Sequence, residues 1–423
     1  MHGSGKNHPV PEKESQRPVI YDCIVVGGGA AGLFYAAGDA TETTSCQPKL
    51  LLEKTARPGQ KLLMSGNGQC NLTHGGSIKD FVSKYGDQGK RIRSCLYRHN
   101  NLELMSMMES MGVPLTERED GKIFPASMKA WEVLDALLAT AKSGGWDLRC
   151  NAEVTAIHAP ANSNAPADLD APIEVVLANG DRLHTRKLVL ATGGASYPAT
   201  GSDGTFYEIL RRDLGLAINT IRPALTPVYV QDYHYQDLSG ISFPDVTITC
   251  GGHTCRGALL LTHKCFSGPA ILHISQYVKA GDPMVINYLP SFSKDQLRQK
   301  LKEDQSGNKL SVANYLSAEF GLPKAFVEKV IPTSQEAFRT LRSVDRDLIA
   351  EHLSEHAYSV SGTGGFKAAM VTAGGVALEQ IDLKTMSLKD HANIHIIGEA
   401  LDINGDTGGY NLQFAYSSAM TAR

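Results

Sequence analysis

The sequence predicts an α/β protein whose open parallel sheet is assembled from both ends of the chain, with a β-rich and then a helical segment between them. Three observations predict it. Near the start, Cys23-Ile24-Val25-Val26 is a short apolar, β-branched run that passes straight into Gly27-Gly28-Gly29. Near the end, Ile394-His395-Ile396-Ile397 does the same into Gly398-Glu399. Unbroken apolar runs of this length read as strands buried on both faces. Between the two, the pattern changes to short strands punctuated by Pro and Gly, and then to helical periodicity.

Tyr21 to Gly32, YDCIVVGGGAAG, is the stretch the chain is organised around. Gly27, Gly29 and Gly32 fall at G-x-G-x-x-G spacing, with Gly28, Ala30 and Ala31 between them. Gly27 makes the tight turn, Gly29 lets a pyrophosphate approach the backbone, and Gly32 lets the helix pack on the strand. Free N–H groups at the helix start then favour the phosphates. A second apolar run, Leu50-Leu51-Leu52, ends in Glu53, 21 residues past Gly32 (53 − 32), where an acid reaches ribose hydroxyls. This strand–turn–helix–strand–acid order predicts a Rossmann-like dinucleotide site.

Composition narrows the class. The 423 residues are 42% hydrophobic and 20% charged, enough for a sizeable core in two or three domains. A net charge of −3 gives no reason to expect nucleic acid or an anionic membrane as partner. No apolar run is long enough to span a bilayer. Met1 to Pro18 is polar and reads as a disordered tail rather than a secretory signal. The eight cysteines are scattered with no C-x-x-C pair, which argues against a disulfide framework or a structural zinc site and for reduced thiols in the cytoplasm.

After Glu53, residues 58–71 form a loop rich in glycine and small polar residues. Gly66 and Gly68 permit close approach to a flat ligand, Ser65, Asn67 and Asn71 offer hydrogen bonds, and Lys61 offers a positive charge. Leu102 to Met111 reads as a helix. Ala130 to Lys142 reads as another, with Trp131, Leu134, Leu137, Leu138 and Ala141 on one face. Residues 159–172 are low-complexity and read as a flexible loop. Asn179-Gly180 marks a hairpin turn. Lys187 to Ala191 returns as a strand into Thr192-Gly193, so that Gly27, Glu53 and Thr192-Gly193 converge at one carboxyl edge. Strands are predicted at 224–230, 246–250, 258–262 and 284–289, as a small antiparallel sheet or barrel. Helices follow at 295–301, 310–320, 324–330 and 344–353. Residues 358–360 and 366–371 read as strand.

The last segment supplies a second ligand edge. Gly398-Glu399 and Asp402 place carboxylates near ribose or ribityl hydroxyls. Gly408-Gly409-Tyr410-Asn411-Leu412 opens a helix whose N-terminus is aimed at an electron-rich ring edge. A site that needs both chain ends favours FAD over NAD as resident cofactor. A second nucleotide fingerprint is lacking, because Gly362-Thr363-Gly364-Gly365 has no strand–helix context. NAD(P)H is therefore expected as a transient electron donor at most.

These motifs resemble a known family. VVGGGAAG (25–32), LLEKTARPGQKLLMSGNGQCNLT (51–73), EDGKIFPAS (119–127), LATGGASYPATGS (190–202), RPALTPV (222–228), LLTHKCFSGPAILHIS (260–275), VTAGGVALEQIDLKTMSLK (371–389) and IIGEALDINGDTGGYNLQFAYSSA (396–419) are similar to the microbial FAD-dependent oxidoreductases grouped as aminoacetone-oxidase-like or BaiN-like flavoproteins. The resemblance implies a two-dinucleotide-binding FAD domain from residues 19–200 and 372–423, after a tail at 1–18. It implies a β-barrel domain at 201–291 and 354–371, and a helical insert at 292–353. It also implies FAD contacts at Gly27 to Gly32, Glu53, Lys54, Lys61, Ser65, Gly66, Asn67, Asn71, the backbone of Val154, Thr192, Gly193, Gly398, Glu399, Asp402 and Gly408 to Leu412. Asn67 and Gln69 stand where such sequences more often carry Gly and Arg, and Cys265 replaces a usual glycine.

The function expected is hydride transfer through flavin N5 to or from a small organic substrate. The alternatives are a flavin-binding redox sensor or scaffold, and a flavin-dependent tRNA-modifying enzyme. The enzyme predicts a pocket between the FAD domain and the inserts, open to the flavin. The sensor predicts a closed flavin and an exposed apolar patch. His263 is the weak candidate for an acid or base. Tyr197 and Tyr410 are candidates to line the site, Cys70 reads as a packed thiol, and Asp406 reads as a solvated turn residue.

Overall fold

The computed structural model describes residues 19–38, 48–160 and 172–423. The tail at 1–18 and most of the low-complexity stretch at 159–172 lie outside the described residues. Apolar, β-branched runs pair with one another because their side chains need cover on both faces. Strand Ile20–Val26 lies between Lys49–Leu52 and Arg182–Leu190, parallel to both, and Trp146–Arg149 and Ile394–Ile396 extend the parallel array on either side. The register pairs Val26 with both Leu52 and Leu190, and Leu190 with Ile396. Gly27, Glu53, Ala191 and Ile397 therefore all emerge at one edge. Short antiparallel strands complete a nine-stranded sheet; the pair Ile173–Leu177 and Arg182–Leu190 turns at Asn179-Gly180, where Gly180 adopts φ +92°.

The inserted half folds differently. Six strands close a barrel in the order 228–230, 266–267, 253–261, 242–250, 283–287 and 356–363. Helices Lys294–Asp304, Val312–Phe320, Lys324–Val330 and Ser343–Ser354 pack on it. Leu297, Leu316, Phe326 and Ile349 of the helices fall in the same buried cluster as Val246, Ile248, Phe266 and Ile286 of the barrel. Barrel and helices thus share one core. Two antiparallel strands, Ile218–Ala224 and Val371–Val376, carry the chain out to the barrel and back.

Three local expectations change. Residues 224–230 are not one strand: Leu225 takes φ +52° and splits Ile218–Ala224 from Val228–Val230. Phe366 to Ala368 sit in a single helical turn, Gly365–Ala368, because Gly365 at φ +62° breaks the extended path. On helix Ala130–Ser143 the buried face is Ala130, Val133, Leu134, Leu137 and Ala141; Leu134, Leu137 and Ala141 are buried as expected, while Trp131 and Leu138 are not. Trp131 is 53% exposed, with the Lys129 ammonium 5.8 Å from its ring centroid.

Candidate functional site

A cavity of about 1110 Å³ opens along the carboxyl edge of the sheet. That exceeds the ~300–1,000 Å³ of most small-ligand sites, leaving room for a cofactor and a substrate together. One end is built by the first strand–helix turn. Gly27 has φ +107°, and a Cβ there would strike the Ala191 carbonyl. A Cβ on Gly32 would land on the Gly27 carbonyl oxygen, so only glycine lets helix Ala30–Gly38 sit this close. Gly29 is different: nothing lies within 4 Å of its would-be Cβ, so its backbone faces open cavity. Glu53 sits at the adjacent strand end. Its Oε2 accepts from Gly28 N–H at 3.0 Å, and its Oε1 accepts from Thr55 N–H at 2.8 Å and Thr55 Oγ1 at 2.7 Å. These bonds aim the carboxylate while leaving acceptor capacity for ribose hydroxyls.

The loop after Glu53 is more ordered than its composition predicts. It forms helix Gln60–Met64 and a 3₁₀ turn Ser65–Gly68. Gly66, Asn67, Gly68 and Cys70 all have φ between +56° and +82°. Asn67 is tolerated there because Asn enters the left-handed region more readily than other side chains. Gln69, where an Arg is commoner, accepts from Arg118 Nη2 at 2.7 Å, and that guanidinium stacks 4.1 Å over Phe124. With its amide oriented to suit its neighbours, Asn71 accepts from Gly409 N–H at 3.1 Å and donates to the Thr73 carbonyl at 3.0 Å. The loop is thereby tied to the start of the last helix, Tyr410–Thr421. Cys70 is fully buried, and burial pushes its thiol up to about 12, as suits a packed residue.

At the centre, Lys61 joins three distant segments. Its ammonium donates to Glu399 Oε2 at 2.6 Å and to Ser196 Oγ. Glu399 Oε1 accepts from Ser196 Oγ at 2.9 Å and from Thr372 N–H at 2.8 Å. Both side chains of the ion pair are only partly exposed, 24% and 20%, so solvent screens the pair incompletely. Glu399 therefore lines the cavity with its carboxylate held by protein donors. Tyr197, next to Ser196, also lines the cavity, with φ +53° and its N–H bonded to the Phe366 carbonyl at 3.0 Å.

The far end is closed by the inserted half: Leu225, Pro269, Leu272 and Met370 line it. Thr407, Gly408, Gly409, Asn411 and Leu412 bring the N-terminus of the last helix to the same space. Among the expected contacts, Gly27, Gly29, Ala30, Ala31, Glu53, Lys54, Lys61, Ser65 to Asn67, Asn71, Val154, Thr192, Gly193, Glu399, Gly408, Gly409, Asn411 and Leu412 line the cavity. Gly28, Gly32 and Gly398 stand behind it as packing glycines. Tyr410 turns its ring into an aromatic cluster with His74 and Phe81, and Asp402 faces away to accept from Asn219 Nδ2 at 2.8 Å. His263 is exposed beside the barrel and does not line the cavity. Asp406 does line it, half-buried rather than solvated, and burial raises its carboxyl. No local signal marked Asp406, because its cover comes from a helix more than a hundred residues earlier.

The model of the HI0933-like protein Rossmann domain matches residues 21–423. The chain belongs to this HI0933-like family. It is similar over 94% of its length to the ribosomal RNA dihydrouridine synthases of Escherichia coli and Haemophilus influenzae, at 31% identity, covering 96% of each. It is 25% identical to the 3-dehydro-bile acid delta(4,6)-reductase of Clostridium scindens, over 94% of this chain and 97% of that protein. The HI0933-like chain is an FAD-dependent oxidoreductase. Its residues fit the cofactor: the Gly29 backbone and the first helix N-terminus suit the pyrophosphate, Glu53 suits a ribose, and the last helix N-terminus suits the flavin's electron-rich edge. The inserts share one wall of the cavity, as a flavoenzyme requires and a sealed sensor does not. Among the described residues no helix of this HI0933-like chain is long and apolar enough to cross a membrane, and no cluster could hold a metal ion.

Proposed function

We propose that this flavoenzyme saturates a carbon–carbon double bond conjugated to a carbonyl, and that its substrate is a uridine of ribosomal RNA. The observation that carries the reading is what its near-full-length relatives have in common. Two are named for making dihydrouridine, and one is named as a reductase of 3-dehydro-bile acid delta(4,6) bonds. In uracil the C5=C6 bond is conjugated to the C4 carbonyl, and in a 3-oxo-4,6-diene the double bonds are conjugated to the ketone. Both accept a hydride at a carbon β or vinylogous to a carbonyl. When bound, FAD supplies that hydride at N5.

The chain's own residues orient and enclose. Lys61, fixed by Glu399 and Ser196, presents a positive charge to the cavity. Leu225, Pro269, Leu272 and Met370 offer an apolar wall that excludes water from the reacting face. The net charge of −3 weighs less than it first suggests, since an enzyme that draws one base out of an RNA needs local rather than global cationic contacts. Arg57, Arg118 and Lys122 line this same cavity. NAD(P)H is the proposed reductant, docking transiently, and access to ribosomal RNA makes the cytoplasm the proposed location.

The test is incubation of the FAD-loaded protein and NADPH with ribosomal RNA, scored by mass spectrometry of nucleosides. Dihydrouridine at a defined position supports the reading, with a yield that falls steeply as salt rises. No dihydrouridine, together with bleaching of a 3-oxo-4,6-diene steroid chromophore, moves the substrate to small conjugated ketones.

A further inference from the structure

Among the acids that line the cavity, Asp406 stands beside the inserted half and has no assigned job. Asp406 lies between the Glu399 segment and the start of the last helix, and it lines the cavity beside Thr407 and Leu272. Its backbone is anchored: its N–H donates to the Lys84 carbonyl at 2.8 Å, and Asn411 Nδ2 bonds the Gly405 carbonyl at 2.9 Å and the Asp406 carbonyl at 3.3 Å. Its carboxylate is another matter. Among the described residues no hydrogen bond reaches it, and it is half-buried at the cavity wall. A half-buried carboxylate that no hydrogen bond holds is free to meet a ligand or to take and give a proton.

Its neighbours favour the proton. His273, on helix Pro269–Ile274 of the inserted half, is close enough that each group's charge alters the other's titration. His273 Nε2 accepts from Thr407 N–H at 3.2 Å and meets Thr407 Oγ1 at 3.0 Å. A ring nitrogen that accepts from a backbone N–H carries no hydrogen, so this imidazole is neutral with its proton on Nδ1. Lys84 from the 82–88 turn, Tyr410 from the last helix, and Tyr277 and Cys255 from the inserted half complete the titratable groups around Asp406. Burial raises Asp406, and the opposing pull of His273 and Lys84 is smaller. Burial likewise lowers His273. Burial thus works against the charged form of both groups, which face each other across the Thr407 loop at the cavity wall.

We propose that Asp406 is the acid that protonates the substrate carbon next to the carbonyl, and that His273 is a positioning residue that fixes the Thr407 loop presenting it. This rests on the ene-reduction reading above. Saturation of the double bond needs a hydride at one carbon and a proton at the other. FAD, bound and reduced, would supply the hydride with its two electrons. The substrate π bond breaks, its electron pair takes the Asp406 proton to form the new C–H bond, and the Asp406 O–H bond breaks. The carboxylate left behind recovers a proton from water once product has left.

The experiment uses the full chain with FAD, photoreduced without oxygen, then mixed with ribosomal RNA or with a 3-oxo-4,6-diene steroid while the flavin bands are followed. Asp406→Asn is expected to slow substrate-driven reoxidation about 100-fold or more, within the range for a lost general acid. Its FAD content and its rate of reduction by NADPH should match the wild type. Asp406→Glu should restore part of the rate, and His273→Gln should move the midpoint of the rate's pH profile. A parallel titration of the oxidised flavin spectrum without substrate should show one transition that Asp406→Asn abolishes. Wild-type reoxidation by Asp406→Asn, or a pH profile that neither substitution moves, overturns the assignment. If neither probe reoxidises the wild type, the ene-reduction reading itself has failed. The substrate-free titration then decides the placement: a transition that persists in Asp406→Asn puts the titrating group elsewhere and overturns the proposal, and its loss upholds Asp406 as the proton-bearing group at the flavin.

Discussion

Both halves of this chain rest on an apolar core, but they shape the cavity by different means. In the FAD domain the decisive contacts are made by backbone, at glycines where any side chain would collide. In the inserted half they are made by side chains, in a core where Phe243, Phe266, Phe326, Tyr235, Tyr288 and Tyr358 pack on one another. A backbone-built site tolerates no added atoms, whereas a side-chain core suffers most from lost ones. The first kind of half specifies a ligand geometry, and the second supplies a wall.

The sharpest way to break that contrast is within the glycine turn. Gly32→Val places atoms on the Gly27 carbonyl and is expected to abolish the folded FAD domain, read as loss of soluble protein. Gly29→Val projects into open cavity, so it should keep the far-UV circular dichroism of the apoprotein while retaining no FAD after gel filtration. If both variants behave alike, the separate roles given to the two glycines are wrong.

In the inserted half, Phe326→Ala should cost about 3–5 kcal/mol by leaving a cavity in the core. Because Phe326 sits in the cluster shared by barrel and helices, both should melt in one transition. Separate transitions would show two cores. A pH experiment compares the halves again. His395 in the sheet and His356 in the barrel are both lowered to about 4, chiefly by burial. A histidine lowered in the folded state leaves stability intact above its unfolded value of about 6.5, and that stability is lost as pH falls toward the folded value. The wild type should therefore lose melting temperature between about pH 6.5 and 4, and His395→Gln should flatten that loss. An unchanged slope would mean that His395 is solvated. The smallest effect is expected at Ser293, which accepts from Gln296 N–H at 3.3 Å while Gln296 Oε1 accepts from Ser293 N–H at 2.9 Å. Ser293→Ala should cost about 1 kcal/mol, measured by urea denaturation, with FAD content unchanged.

The same contrast explains what could be read from sequence. Gly27, Gly29, Gly32 and Glu53 were legible because backbone geometry admits few residues at those points, and because strand, turn and acid lie close in sequence. Thr192-Gly193 and Gly408-Gly409 were legible for the same reason. The barrel was visible only as a change of rhythm, since one of its strands, Phe266–Ser267, is two residues long. Trp131 and Leu138 were placed on the buried face because helical spacing from the buried Leu134 does not by itself fix where that face ends. Lys61 and Glu399 are 338 residues apart, and nothing local in either marks the other. Asp402 and Asp406 share a loop and a chemistry, yet Asn219 engages the first while the second lines the cavity. Tertiary cover, not residue type, separates them.

The order of strands in the main sheet bears on how the protein is made. Leu188, Val189 and Leu190, at the end of strand Arg182–Leu190, stay an uncovered edge until Ile394–Ile396 arrives to pair with them, and the last helix comes later still. Domains that are continuous in sequence can fold as they leave the ribosome. Here the barrel and its helices can complete themselves while the nucleotide-binding sheet waits, its open edge a hazard for the nascent chain. Cofactor loading is therefore a late event in biosynthesis, and a truncated translation product lacking the residues from 394 onward would carry a finished barrel, an unfinished sheet and no flavin.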